Sequence, residues 1–409
     1  MFDNLLHQEA VPLLISDIES GAFPGAVLFS GPSASGKLTC ALEAARILSC
    51  TASPRGGWLC GCRSCLQHKS LVNGNMLLAG PRDCGSEIAA ASFAFIRACV
   101  QNASYLTAAR YLFLRSVRKL TARFNPVLWQ GDDRLNKIAS VVSSIDEELE
   151  ALDFPHELPP AEAVEKICGR LAPLCAKLEG GFLYDSIPIS QIRNMSAWAH
   201  LKAVDGSKTV IIENADRMLE GVRNALLKIL EEPPADTVFI LTTSRRNAVM
   251  PTILSRVRTY SFCERTPAQQ HEVVSRVFHR EEFSGTIGEY LLTFLPVPPQ
   301  RLYGAAAEFF RVIAEQRIPE VAAAVKECGG FEPRIALRLF LEGIARAQRK
   351  LLHFPAGAQA AAETGEALRA CWNCVTVYNQ TPQSALEHLV RCLSKINRTY
   401  GGCFKCAIM

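Results

Sequence analysis

The sequence predicts an α/β fold: a parallel sheet with flanking helices, interrupted by a helical insertion and followed by segments that are helical alone. Three observations predict it. Compact apolar runs of strand length stand at Ala26–Ser30, Lys208–Ile212 and Val238–Thr242; runs of this kind, apolar throughout, read as strands covered on both faces. Segments with apolar residues at helical spacing stand between these runs, the alternation from which parallel sheets are built. From Leu302 to Ile396 the helical spacing continues, with long amphipathic runs at Ala305–Glu315 and Ile335–Leu352.

Composition narrows the class. At 409 residues the chain exceeds one typical domain. With 49% hydrophobic and 21% charged residues it is ordinary globular material. A formal charge of +4 permits nucleic-acid contact without arguing for it. No apolar run reaches the roughly 18 residues of a membrane helix, and MFDNLLHQEA lacks the basic start and cleavage site of a secretory signal. No membrane association and a cytoplasmic location are therefore expected. The 16 cysteines are mostly scattered singly through apolar segments, where they read as small buried hydrophobes kept reduced.

In chain order, Phe2–Glu19 carries helical spacing and Gly21-Ala22-Phe23-Pro24 ends it. After the run Ala26–Ser30 comes Gly31-Pro32-Ser33-Ala34-Ser35-Gly36-Lys37, and helical spacing restarts at Ala41–Leu48. Strand, glycine-bounded loop and helix are the context of a phosphate-binding P-loop. Its amides cradle phosphate, the helix dipole assists, and Lys37 reaches the outer phosphates. Gly31, Ser35, Gly36 and Lys37 are the candidate nucleotide contacts. The position after the lysine should offer a hydroxyl to Mg²⁺, but it is Leu38. Thr39 points about 100° away around the helix and is no substitute. ATP binding is thus open, with the metal ligation impaired.

Cys50, Cys60, Cys62 and Cys65 come next, in a loop marked by Pro54, Gly56 and Gly57. Four thiols so close suit a tetrahedral structural zinc site with no open coordination position. His68 is a possible replacement for one thiol. Between about 86 and 182 three segments have helical spacing: Ala91–Phe124, Asp133–Leu152 and Ala161–Leu178. We read them as one helical insertion. Its first segment carries Arg97, Arg110, Arg115, Arg118, Lys119 and Arg123, and its second ends in Asp146-Glu147-Glu148-Leu149-Glu150. The basic row either touches DNA phosphates or, the reading we favour, is a solvated face paired with the acidic one. Cys371-Trp372-Asn373-Cys374 reads as core packing. Cys406-Ala407-Ile408-Met409 fits a prenylation box and is read as coincidence.

The stretch Asn224–Arg256 (NALLKILEEPPADTVFILTTSRRNAVMPTILSR) closely resembles bacterial DNA polymerase III clamp-loader subunits, which are AAA+ proteins. Ile187–Arg193 is similar to the segment before their second nucleotide motif. The cysteine knuckle resembles theirs too, although their usual spacing is C-x-x-C-x-x-C and here Cys60 and Cys62 are two apart. Tyr378–Leu389 is similar to the last helices of the delta-prime type.

The resemblance implies an AAA+ domain over 1–262, a helical lid over 263–302 and an all-helical collar domain over 303–409 that assembles the complex. Where the family's ATPases carry Asp-Glu at the end of the strand matching Lys208–Ile212, this sequence has Glu213 and Asn214. An amide cannot serve as a general base, so hydrolysis is not expected. Asp216 is a possible substitute acid, lying beyond the strand end. Damaged motifs point to the delta-prime type. The implied partners are gamma/tau and delta subunits in a hetero-oligomeric ring, and through it a sliding clamp and primed DNA. Arg256 matches the family's arginine finger, supplied in trans to a neighbour's ATP. The alternative is a working ATPase of the gamma/tau motor kind that uses Lys37 with Asp216.

Overall fold

The computed structural model describes residues 1–82, 84–203, 206–353, 357–401 and 403–405; Cys406–Met409, and with them the prenylation-like box, lie outside them. The chain divides into two compact units, Met1–Tyr290 and Leu291–Met409.

The first unit is built on β1 (Ala26–Ser30), β2 (Met76–Ala79), β3 (Lys208–Ile212), β4 (Thr237–Thr243) and β5 (Arg258–Ser261). They form one parallel sheet in the order β2-β3-β4-β1-β5. The three predicted strands are present within a residue at each end. The predicted class, a parallel sheet flanked by helices, is the fold observed. β2 and β5 are not legible in the sequence: each has four residues, and β5, at an edge, buries only Tyr260. Both are too short for periodicity to separate them from loop.

The sheet's two faces carry different cores. Leu28, Leu77, Val210, Ile212, Phe239 and Leu241 face one apolar cluster, and Val27, Phe29, Leu78, Ile211, Ile240 and Tyr260 face another, the alternation a pleated strand imposes. The second face is covered by α1 (Ala10–Glu19) and α2 (Lys37–Leu48), with α3 (Arg63–Lys69) against α2.

On the first face lie α4 (Gly85–Val100), α5 (Leu106–Ala122), α6 (Leu135–Glu150), α7 (Ala161–Phe182), α8 (Ile189–Ala199) and α9 (Glu220–Glu231). The insertion α4–α7 thus shares one continuous core with the sheet. It is not an appendage.

The segment expected as one helix over Ala91–Phe124 is two. Asn102 adopts φ +44° between α4 and α5, and the left-handed conformation that Asn tolerates best stops the first helix there. Most of the basic row is bonded internally rather than set out as a solvated face, with Arg97 paired to Glu282 nearer the surface. Arg110 donates to the carbonyls of Leu152, Asp153 and His156 at 2.6–2.8 Å. Arg115 donates to the Lys69 carbonyl, Arg118 pairs with Asp153, Lys119 with Glu87 and Arg123 with Glu213. Asp146, Glu147 and Glu150 line an open groove of about 420 Å³ with Ser143 and Asp153, and Glu148 pairs with Arg170. Charges that read as a surface stripe are mostly internal fasteners, because short loops carry acceptors back over α5.

After β4 come α10 (Pro251–Leu254) and β5, then α11 (Pro267–Phe278) and α12 (Ile287–Leu292). The boundary at Cys263–Pro267 holds a capping box. Thr266 Oγ1 accepts from the Gln269 amide, Gln269 Oε1 from the Thr266 amide, and Pro267 stands at the first helical position. The segment read as a lid, 263–302, is divided at Tyr290 between the two units.

The second unit comprises α13 (Pro299–Ala314), α14 (Val321–Glu327), α15 (Ile335–Ala347), α16 (Gly357–Thr376) and α17 (Pro382–Thr399) around Phe310, Phe331, Phe340 and Leu386. Cys371 lies in this core, and Cys374 is half-buried. Every cysteine among the described residues is a free thiol.

Candidate functional site

In a parallel sheet ligands bind beyond the carboxyl ends of the strands, where the strand order switches. Here that place is the end of β1. Gly31 is required by packing: a Cβ there would stand 2.7 Å from Phe262 Cβ and collide with the Phe262 carbonyl oxygen. The loop passes through Ala34 at φ +59° and Gly36 at φ +92° before α2 begins at Lys37. The Lys37 ammonium folds back on this loop, donating to the carbonyls of Gly31 (2.8 Å) and Pro32 (2.5 Å) and to Ser35 Oγ (3.3 Å). Burial lowers its pKa to about 8, against the pull of the Asp216 and Glu213 carboxylates. Leu38 packs against the α1–α2 core, so the position that should ligate a metal is committed to packing.

Beside the loop lies a cleft of about 250 Å³ lined by Pro32–Ser35, Glu264, Arg265, Gln270 and Thr286–Gly288. Arg265, buried, donates to the Ala34 carbonyl at 2.8 Å and to the Leu6 carbonyl at 2.9 Å. It ties the N-terminal segment to the P-loop. No motif in the sequence marks it.

The end of β3 presents Glu213, Asn214 and Asp216 to the same edge. Glu213 is claimed by the buried Arg123 of the insertion. Asn214 turns the chain at φ +52°, its amide donating to Thr242 Oγ1 at 3.3 Å. That turn brings Asp216 back toward Lys37, so the residue expected beyond the strand end belongs to the site. Its side chain is fully buried and accepts from Thr243 Oγ1 (2.7 Å) and Arg245 Nε (3.0 Å). The geometry therefore gathers Gly31, Ser35, Gly36, Lys37, Glu213 and Asp216, with a cation already fixed on one carboxylate.

Arg256 stands elsewhere. It precedes β5, whose Arg258 is in register with Val27 near the start of β1. It therefore lies at the amino edge of the sheet, opposite the P-loop. Glu231, just ahead of β4, accepts from its Nε at 2.8 Å, and Nη1 donates to the Thr252 carbonyl at 2.6 Å. The side chain is 28% exposed.

The cysteine cluster forms despite its short Cys60–Cys62 spacing. All four Sγ atoms lie within 4.8 Å of one another, with Cys50 at 3.8 Å from Cys60 and 4.0 Å from Cys62. Thiolates about 2.3 Å from one tetrahedral ion stand roughly 3.8 Å apart, so the set can hold a metal. Cys62 caps α3, which turns its thiol toward Cys65. The amides of Gly56 and Cys65 donate to Cys50 and Cys62 at 3.3 and 3.5 Å. Arg46, 1% exposed, donates to Cys65 Sγ at 3.1 Å, to the carbonyls of Gly56 and Gly57, and to both Glu43 oxygens. His68 is buried outside the cluster.

Among known proteins, residues 156–266 match the family described as DNA polymerase III, delta subunit. The DNA polymerase III subunit delta' of Pseudomonas aeruginosa is 39% identical over 71 residues, which are 17% of this chain and 22% of its own. The subunit delta' of Bacillus subtilis is 36% identical over 74 residues, 18% of this chain and 22% of its own. The subunit gamma/tau of Mycobacterium tuberculosis is 35% identical over 74 residues, 18% of this chain and 13% of its own. The chain thus spans less than a quarter of these relatives. A solved gamma subunit-related protein of DNA polymerase III from Thermotoga maritima is 20% identical, aligning over 52% of this chain and 80% of its own with a TM-score of 0.25.

Proposed function

The chain is a member of the DNA polymerase III clamp-loader family, and from that premise we propose that it is a delta-prime-type subunit. In this reading it hydrolyses no ATP itself and supplies Arg256 to a neighbouring subunit's ATP within a ring that loads a sliding clamp onto primed DNA. The observation that carries it is the division of labour across the sheet. The P-loop edge has a leucine where a metal ligand is needed and an amide where a base is needed. Arg256, at the opposite edge, cannot reach that site, and its side chain is partly exposed. The exposed pair with Glu231 contributes under about 1 kcal/mol, so a neighbour's γ-phosphate can displace it and gain transition-state stabilisation. Residues 303–409 are the collar through which the ring assembles, and residues 263–302 are the lid domain, of which Glu264, Arg265, Gln270 and Thr286–Gly288 line the cleft.

Arg256→Ala in a loader reassembled with gamma/tau and delta should lower DNA-stimulated ATPase by about 10³-fold or more, the usual contribution of a finger. An unchanged assembled rate rejects the finger role. The proximity of Asp216 to Lys37 favours one rival, a working motor subunit. Turnover by the isolated chain that Lys37→Ala abolishes would establish that rival instead.

The cysteine cluster is proposed to hold structural zinc, with Cys50, Cys60, Cys62 and Cys65 as ligands and Arg46 as the buried donor to Cys65. Metal analysis should return about one zinc per chain; folded protein free of metal refutes it.

A further inference from the structure

A P-loop site of this fold ordinarily needs a divalent metal, held by a hydroxyl after the lysine and a carboxylate at the end of the neighbouring strand. The residues here do not fit that ion. Leu38 packs into the α1–α2 core, and Asn214 brings an amide. Of the two carboxylates at the strand end, Asp216 is held by Arg245 and Thr243, and Glu213 is bound to a guanidinium that reaches it from the helical insertion.

That guanidinium is built in. Arg123 closes α5, is 5% exposed, and is held from three sides. Its Nη1 donates to the Lys119 carbonyl, its Nη2 to Glu213, and its own carbonyl accepts from Trp129 Nε1 at 2.9 Å. Room for the pair is provided by Gly80 at the end of β2: a Cβ there would collide with Glu213 Oε2 and stand 3.0 Å from Arg123 Nε. Glu213 nevertheless follows β3 at the same carboxyl edge of the sheet as the P-loop after β1, with β4 alone between the two strands.

We propose that Arg123 takes the place of the divalent metal, so that this P-loop receives nucleotide phosphate without a metal ion. A bare Glu213 would repel the phosphates, and a metal ion ordinarily cancels that repulsion. The fixed guanidinium cancels it permanently, and the charge balance of the site then depends on the insertion rather than on solution magnesium.

The experiment is binding of N-methylanthraniloyl-ATP to the full chain, read by fluorescence. It compares millimolar magnesium with buffer freed of divalent ions by resin, because a chelator would also compete for metal at the cysteine cluster. The wild type should bind with the same affinity in both, within about twofold. Arg123→Met exposes the Glu213 charge and should bind at least tenfold more weakly without magnesium, recovering when magnesium is added. Because a lone buried carboxylate can unfold that variant, Arg123→Met/Glu213→Gln is made beside it; with both charges gone it should bind equally in the two buffers. A wild type that loses tenfold or more without magnesium overturns the proposal. So does a wild type that binds in neither buffer, or a double variant that needs magnesium. None of these outcomes touches Arg256, whose role is read from the assembled loader.

Discussion

Lys37 should make the folded chain less stable than a variant without it. The ammonium is buried against its own loop, and its pKa is lowered from 10.5 to about 8, by burial first, with Asp216 and Glu213 offsetting part of the cost. Below pH 8 both the folded and unfolded chains carry this proton, and the full cost of burying the charge is felt. Above 10.5 both have lost it, and the cost is gone. Wild type should therefore gain on Lys37→Met as pH rises from 8 toward 10.5. A tenfold change in proton affinity is worth about 1.36 kcal/mol, so the gain between pH 7 and pH 10 is about 2.5 kcal/mol, an upper figure because the group is partly exposed. At pH 7 the variant should be the more stable by about 1–2 kcal/mol, after allowing for three lost hydrogen bonds to the loop. The assay is urea unfolding of both proteins at the two pH values; every other titrating group cancels in the difference. A difference that does not change with pH, or that moves against wild type, refutes the reasoning. The result bears on function, because a destabilised cation at a P-loop is repaid only by an anion.

Three further changes test the same geometry. Arg46→Met leaves Glu43, 3% exposed, without its partner, and breaking such a buried pair should cost about 3–5 kcal/mol; in urea unfolding, Arg46→Met/Glu43→Gln should recover most of that loss. Gly80→Ala drives a methyl into the Arg123–Glu213 pair and should lower stability by about 1–3 kcal/mol, seen as a reduced midpoint in thermal unfolding, whereas Gly74→Ala, with nothing within 4 Å, should not. Cys62→Ser removes a thiolate while leaving a hydroxyl to cap α3, and should lower zinc content well below one per chain in metal analysis while the second unit's native helicity persists in circular dichroism.

The P-loop is legible in the sequence because its chemistry is local: strand, two glycines, lysine and helix lie within a dozen positions, and the structure assembles them as read. The cysteine cluster is legible for the same reason, and its unusual spacing is absorbed by placing Cys62 at a helix start. Arg123 reads as part of a surface stripe because a helix's sequence reports which residues share a face, and cannot report what another segment brings to that face. Lys69, Asp153 and Glu213 come to α5 from three separate segments. Counting positions past a strand puts Asp216 out of reach, and one left-handed residue, Asn214, reverses that.

By itself, then, the sequence determined the parallel α/β class, the helical insertion, the damaged nucleotide motifs and the thiol set, since each rests on periodicity or on residues adjacent along the chain. Only the tertiary structure decided which charges meet. It set Arg256 at the sheet edge opposite the P-loop, since in a parallel sheet residues ahead of a strand and residues after a strand lie at opposite edges. It also brought the insertion's Arg123 to Glu213, because an ion pair between residues ninety apart depends on packing that no local pattern encodes.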